Sequence, residues 1–465
     1  MSVLLPGFIM IPIVAAVLNI LSGRLLRRLP EIISALTAFY LLCAVSTLYF
    51  FRPFNYLLDY KMLGINLKLD GFSHIILLAV CLVVFLVVLY ASAYMEKYPG
   101  KEKFFALYML MTAGMNGVLL SRDLFSLFLF LELAAISTYL LVGFKGEAEE
   151  IEASIRYLII GTIASVLILI GIGLFYNSPG TAKSFIAVLF LAGFGMKAAI
   201  VPFHAWLPDA HTAAPAPVSA TLSGILIKVL GVYALARIFY NFLGMTPQYS
   251  IILTCFGILS ILIGGLLAFG QRDLKRLLAY SSISQIGYIV LGLSLGTPLG
   301  IMGGIFHLIN HAIFKPLLFL NAGSVEQQTG TRNLDELGGL YHKMPITSIT
   351  SLIGSLSISG IPPFSGFWSK LFIIIACVQA GNLWAATAAI LGSILTLSYF
   401  LKVQKLMAFD KLPEQLKNIK ESPAIMSFAV IILAFLCLIA GIFYPYVVDY
   451  LINPAVIALS NGVKL

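Results

Sequence analysis

Along this chain apolar residues do not alternate with polar ones. They come in long Gly- and Leu-rich runs, parted by short clusters of charge, Pro and Gly. A helix needs ~20 apolar residues to cross a bilayer, whereas a membrane β-barrel would show alternation over ~10-residue segments. The runs therefore predict an all-α polytopic membrane protein, a single transmembrane domain over 1–465. Cutting at the polar and Pro/Gly clusters gives about fourteen transmembrane helices, at 3–21, 30–50, 71–93, 104–121, 123–143, 151–176, 184–207, 215–238, 248–268, 275–297, 299–324, 343–380, 383–403 and 423–448. The twelfth run is too long for one straight span and contains Gly360-Ile361-Pro362-Pro363, which removes helical hydrogen bonds and predicts a broken helix. The seventh carries Pro202 and Pro208 around His204 and Trp206 and is expected to be broken too.

Composition agrees with the pattern: 60% hydrophobic residues, 11% charged and a mean hydropathy of +1.00 lie outside the range of soluble domains. The first apolar run, Val3 to Ile20, has no basic region before it, so it is expected to open the bundle and not to be a cleaved signal. The net charge of +9 reads as topology. With the N-terminus outside, seventeen Lys and Arg, Arg24 and Lys101 among them, fall on cytoplasmic connections, against six outside: Arg52, Lys61, Lys68, Arg122, Lys183 and Lys464. That is the positive-inside bias, and no basic groove interleaved with aromatics suggests a nucleic-acid partner. Cys43, Cys81, Cys255, Cys377 and Cys437 lie in or at the ends of apolar runs with no CxxC pair, which reads as small buried hydrophobes. No Walker loop and no GxGxxG after a strand is present, so no cofactor is expected on this chain.

Charges inside the apolar runs are the informative exceptions. An ammonium at bilayer depth costs ~3 kcal/mol on insertion scales, and such residues commonly mark ion pathways. Glu132 sits near the middle of Leu124 to Val142, Lys197 five residues before Pro202, and Lys228 in the middle of Pro217 to Ala236. His307, His311 and Lys315 stand at i, i+4 and i+8, one helix face over two turns. As a metal site the HxxxH supplies two ligands and no evident third. Lys370 follows the break of the twelfth run and is the natural last station of a path, or else a snorkelling anchor. His204, Asp209 and His211 flank the seventh break and form a candidate entrance, with a plain loop and cap role as the rival. Glu147, Glu149, Glu150 and Glu152 read as a solvated face, Arg237 as a helix-end anchor, and Asp273 with Lys275 and Arg276 as a cytoplasmic cap.

Three of these segments carry a family resemblance. Gly195-Met196-Lys197 with Val201-Pro202-Phe203-His204-Ala205-Trp206-Leu207-Pro208-Asp209-Ala210-His211, the run His307-Leu308-Ile309-Asn310-His311-Ala312-Ile313-Phe314-Lys315, and Ser359-Gly360-Ile361-Pro362-Pro363-Phe364 resemble signatures of the antiporter-like, proton-translocating membrane subunits of respiratory complex I. Membrane-bound hydrogenases and multisubunit Na+/H+ antiporters share that family. The resemblance implies two inverted five-helix repeats, helices four to eight over 104–238 and nine to thirteen over 248–403, with helices seven and twelve discontinuous. It also implies that Glu132 pairs with Lys197, that Lys228 and Lys315 are the central lysines of helices eight and eleven, and that Lys370 is the terminal ionisable group of helix twelve. Some branches carry glutamate at that last position. The chain ends soon after the fourteenth run, without the long lateral helix of the largest complex I subunit, and Asp209-Ala210-His211 is more similar to the hydrogenase and complex I branches.

The expected function is thus proton translocation in a respiratory complex in the inner (cytoplasmic) membrane, by a subunit without its own redox site. Expected partners are sister antiporter-like subunits, small membrane subunits, lipids, and peripheral redox subunits carrying iron–sulfur clusters, flavin or a NiFe centre. A multisubunit Na+/H+ antiporter subunit, a stand-alone secondary transporter and a non-conducting scaffold are the alternatives.

Overall fold

The structure, a computed structural model, describes residues 4–23, 26–51, 58–62, 65–177 and 183–460. Val3, Arg24, Arg52 and Lys464 of the sequence reading lie outside the described residues. The helices are α1 (Gly7–Ser22), α2 (Leu29–Phe51), α3 (Gly71–Tyr94), α4 (Lys101–Leu120), α5 (Leu124–Val142), α6 (Ala148–Asn177), α7 (Lys183–Ala198), α8 (Trp206–Ala213), α9 (Ala216–Phe242) and α10 (Pro247–Phe269). There follow α11 (Leu274–Ser294), α12 (Pro298–Thr329), α13 (Pro345–Ser359), α14 (Ser365–Gln379), α15 (Leu383–Phe409), α16 (Ala424–Ile442) and, after two short turns, α17 (Asn453–Ser460). Among the described residues eleven helices are long and apolar enough to cross a membrane. A count of fourteen requires in addition that α1 and the two broken pairs, α7 with α8 and α13 with α14, each make one crossing.

Both expected breaks are present. α7 stops at Ala198, Ala199 takes a left-handed φ of 54°, and the chain restarts as α8 at Trp206. α13 stops at Ser359 on Gly360, whose φ of 82° suits a residue without Cβ, and α14 restarts at Ser365. Two features were not among the expected elements. Leu58–Met62 (β1) and Ile65–Leu69 (β2) form an antiparallel hairpin between α2 and α3. Within α9, Leu222–Leu226, Lys228–Tyr233 and Ile238–Phe242 are wound as π-helix, the wider i→i+5 turn often found at functional positions.

The burial pattern separates an inside from an outside. α9 and α12 are the innermost helices, with nearly every side chain shielded, whereas α5 and α6 present large apolar side chains such as Phe125, Leu129, Ile136 and Ile155 outward. Glycines let the inner helices touch: a Cβ on Gly231 would overlap Ala198 at the end of α7, and one on Gly224 would overlap Pro316 of α12. These two close approaches flank Lys228 and bring α7, α9 and α12 together around it.

Candidate functional site

Each intramembrane charge is delivered by a helix that has reason to approach its neighbour. Glu132 lies on the outer stripe of α5 between Leu129 and Ile136, its side chain 26% exposed. Lys197, in the last turn of α7, is 3% exposed and reaches Glu132 Oε1 at 3.5 Å and the Tyr139 hydroxyl at 3.3 Å. The hydroxyl of Ser165 on α6 donates to the same Glu132 oxygen. Gly161 makes room for this arrangement, because a Cβ there would overlap the Tyr139 hydroxyl. The pair anticipated from sequence is therefore formed, and it lies at the lateral rim of the bundle.

Three further lysines have no carboxylate within ion-pair distance among the described residues. Lys228, on a π-wound turn of α9, donates to the Ser223 carbonyl. Ser223 Oγ meets Ser282 Oγ of α11 at 2.7 Å, and the adjacent Ser281 hydroxyl accepts from Lys315, whose Nζ also donates to the Leu278 carbonyl at 2.8 Å. One helix face of α12 then leads from Lys315 past His311, which among the described residues has no hydrogen-bond partner on either ring nitrogen, to His307. His307 contacts Ser369 Oγ through Nδ1 at 2.9 Å and Gln285 Oε1 through Nε2 at 3.2 Å. Ser369 neighbours Lys370 on α14, whose Nζ donates to the Ser359 carbonyl at 3.5 Å and stands 4.7 Å from the Tyr288 ring centre. Every one of these lysines and both histidines is buried.

The arrangement can hold a cation on carbonyl and hydroxyl dipoles at several depths, with hydroxyls and an amide between the stations. Direct hydrogen bonds do not join Lys197 to Lys228, nor His311 to either neighbour on its face, so transfer there needs water or side-chain motion. Sequence reasoning missed Tyr139, Ser165, Ser223, Ser281, Ser282, Gln285, Tyr288 and Ser369. Their signal was weak, because serines and tyrosines in helices are common and most of these contacts are remote in sequence.

The proposed entrance is not one constellation. Asp209 sits on the surface and bridges Arg156 at 3.0 Å and Arg276 at 3.4 Å, lining a charged basin of about 700 Å³ with Glu147, Glu152 and Arg332. His211 is fully buried and stacks on Phe319 at 4.6 Å, and His204 is half-buried in the break between α7 and α8. Local periodicity explains the separation, since positions 209 and 211 point to different sides of α8.

Several surface readings need correction. Asp273 does cap α11, but Lys275 is wholly buried and pairs with Glu326 at 2.7 Å. Glu150 leaves the solvated acidic face to pair with Lys145 at 3.1 Å, and Arg237 is a buried partner of Asp70 at 2.6 Å. Lys68 and Lys101, counted as loop charges, are buried. Cys81, Cys377 and Cys437 are buried as expected, while Cys43 and Cys255 face outward.

Comparison with known proteins identifies the family of the chain. The family described as NADH:quinone oxidoreductase/Mrp antiporter, TM, matches residues 121–396, and that described as NADH-Ubiquinone oxidoreductase (complex I), chain 5 N-terminus, matches 60–105. NADH-quinone oxidoreductase subunit N of Desulforudis audaxviator is 34% identical over 426 residues, covering 84% of this chain and 85% of that protein. A Na(+)/H(+) antiporter subunit of Alkalihalophilus pseudofirmus is 34% identical over 359 residues, 73% of this chain and 72% of the relative. A chain of the Mrp complex from Dietzia sp. superposes with a TM-score of 0.92 at 28% identity, covering 100% of this chain and 98% of that one. The extent of these matches leads to one assignment: the chain belongs to the family of antiporter-like membrane subunits shared by NADH:quinone oxidoreductases and Mrp antiporters.

Proposed function

We propose that this chain is a proton-translocating antiporter-like subunit of a membrane-bound redox complex, of the NADH:quinone oxidoreductase or membrane-bound hydrogenase type, that couples electron transfer elsewhere to ion pumping. The observation that carries the reading is the placement of Lys228, Lys315 and Lys370 deep in the bundle on dipoles alone. A structural ion pair needs a counter-ion. A station that must take up and release a proton is served better by neutral partners, because no fixed counter-charge then holds it in one state.

In this reading the Glu132–Lys197 pair at the rim is the input. A charge displaced in a neighbouring subunit loosens the pair, and the proton moves by way of Lys228 toward Lys315, His311 and His307, leaving through Lys370. Moving one charge against 100 mV takes ~2.3 kcal/mol, and the driving reaction belongs to partners: sister antiporter-like subunits along the membrane and peripheral redox subunits. The N-terminus is assigned to the outside of the cytoplasmic membrane on the basic bias of the connections. Helices four to eight and nine to thirteen are assigned as inverted repeats, supported by the break falling at the fourth helix of each set.

The likeness to the Alkalihalophilus antiporter protein and to the Mrp chain favours a second reading, a component of a multisubunit Na+/H+ antiporter. One experiment separates them. In inverted membrane vesicles, the redox reading expects proton translocation that follows an electron donor, needs no Na+ and disappears in Lys228→Ala. Exchange that requires Na+ and no redox substrate would favour the antiporter, and normal translocation in Lys228→Ala would overturn both.

A further inference from the structure

The polar feature that this lysine series leaves unused is one face of α13. Thr347, Ser351, Ser355 and Ser359 recur at every fourth residue, so they succeed one another along one side of the helix at ~6 Å intervals. All four are buried, in a helix packed against α12, α15 and α16. The side chain of Gln404 on α15 lies across this face: its Nε2 donates to Ser351 Oγ at 3.1 Å and to Ser355 Oγ at 2.9 Å. Its Oε1, on a residue only 3% exposed, has no hydrogen-bond partner among the described residues. On another side of α13, Thr350 Oγ1 donates to Asn321 Oδ1 of α12 at 3.2 Å, and Ser348 Oγ has no hydrogen-bond partner among the described residues. At the inner end of α13 the Ser359 carbonyl accepts the ammonium of Lys370.

A seam that only glued helices together would satisfy its own polar atoms, since a buried polar atom left without a partner is destabilising. Here the buried Oε1 of Gln404 is left without a partner against one line of hydroxyls. That composition suits a mobile partner that both donates and accepts, which is water. We propose that the hydroxyl face of α13 is a gated water path between Lys370 and the end of the bundle where α13 begins, with Gln404 as its gate. This rests on the reading of Lys370 as a proton station. While the carboxamide bridges Ser351 and Ser355 the path is closed, and rotation of the Gln404 side chain frees both hydroxyls at once. Lys370 is then approached from two sides, through Ser369 and His307 on one and along α13 on the other. Keeping the second closed while the first conducts prevents a leak.

Cysteine accessibility tests this in sided vesicles carrying the intact complex, with the outward-facing Cys43 and Cys255 replaced by serine. A small impermeant cationic methanethiosulfonate is expected to modify Ser355→Cys slowly. In Ser355→Cys with Gln404→Ala the rate rises about tenfold or more, as a thiol passes from a dry to a wet setting, and only with reagent on the side of the connection 330–344. An unreactive cysteine in the Gln404→Ala background, or equal reactivity from both sides, overturns the proposal. Ser351→Cys, one turn nearer the end, gives the same two outcomes if Ser355→Cys does not assemble. The readout needs no transport, so its failure would leave the role of Lys370 standing; normal translocation in Lys370→Ala would instead remove that role.

Discussion

A lysine without a counter-ion in a bilayer keeps its proton only as firmly as neighbouring dipoles allow, and this sets Lys228, Lys315 and Lys370 apart from Lys197 and Lys275. The lysines were legible as charges interrupting apolar runs, but their partners were not. Nothing in the local sequence connects Ser281 with Lys315 or Ser165 with Glu132, and Lys275 was hidden among the loop charges Asp273 and Arg276 although its helix carries it inside to Glu326. Glu132 is the residue where the account commits most locally. Glu132→Gln preserves its bond from Ser165 but removes the charge facing Lys197, so assembly should persist while redox-driven translocation falls about tenfold or more. Acid-quench fluorescence in vesicles, scored against complex content on native gels, checks it.

At the level of the element, the breaks were readable because proline leaves a mark in sequence, whereas the π-wound turns of α9 and the hairpin β1–β2 left none. Gly224 and Gly231 of those turns lie against Pro316 and Ala198, and those neighbours are tertiary. Two substitutions probe the breaks. Ala199 holds a left-handed conformation that costs a residue with Cβ ~1–2 kcal/mol, so Ala199→Gly should raise the thermal midpoint of the purified subunit or complex. Gly366, in the first turn of α14, lies against the Ser357 carbonyl where a Cβ would overlap. Gly366→Ala should therefore lower stability by about 1–3 kcal/mol and disturb Lys370 without touching it, which a fall in both the midpoint and translocation would register.

Over the whole molecule the two ends differ in kind. One carries the open charged basin around Asp209, the other a closed knot of Lys68, Asp70 and Arg237 beneath the hairpin. Burial alone would raise the Asp70 carboxyl, but the Arg237 guanidinium at 2.6 Å outweighs it and holds the group below the usual carboxylate range. The folded value thus lies under the unfolded one, and the pair stabilises at pH above ~4, losing its contribution as pH falls through the folded value. Asp70→Asn should cost about 3–5 kcal/mol by stranding a buried guanidinium, and should remove that part of the acid sensitivity; a midpoint unchanged from wild type would contradict it.

The interior lysines carry the account's central claim, so the most direct measurement is made there. Lys315→Met keeps the volume and removes the charge from a site held by one carbonyl and one hydroxyl. With the intact complex reconstituted in proteoliposomes and proton uptake followed by a pH-sensitive dye during electron-donor turnover, the account predicts an assembled complex whose proton uptake per turnover falls substantially below wild type. Wild-type uptake per turnover in Lys315→Met would contradict it.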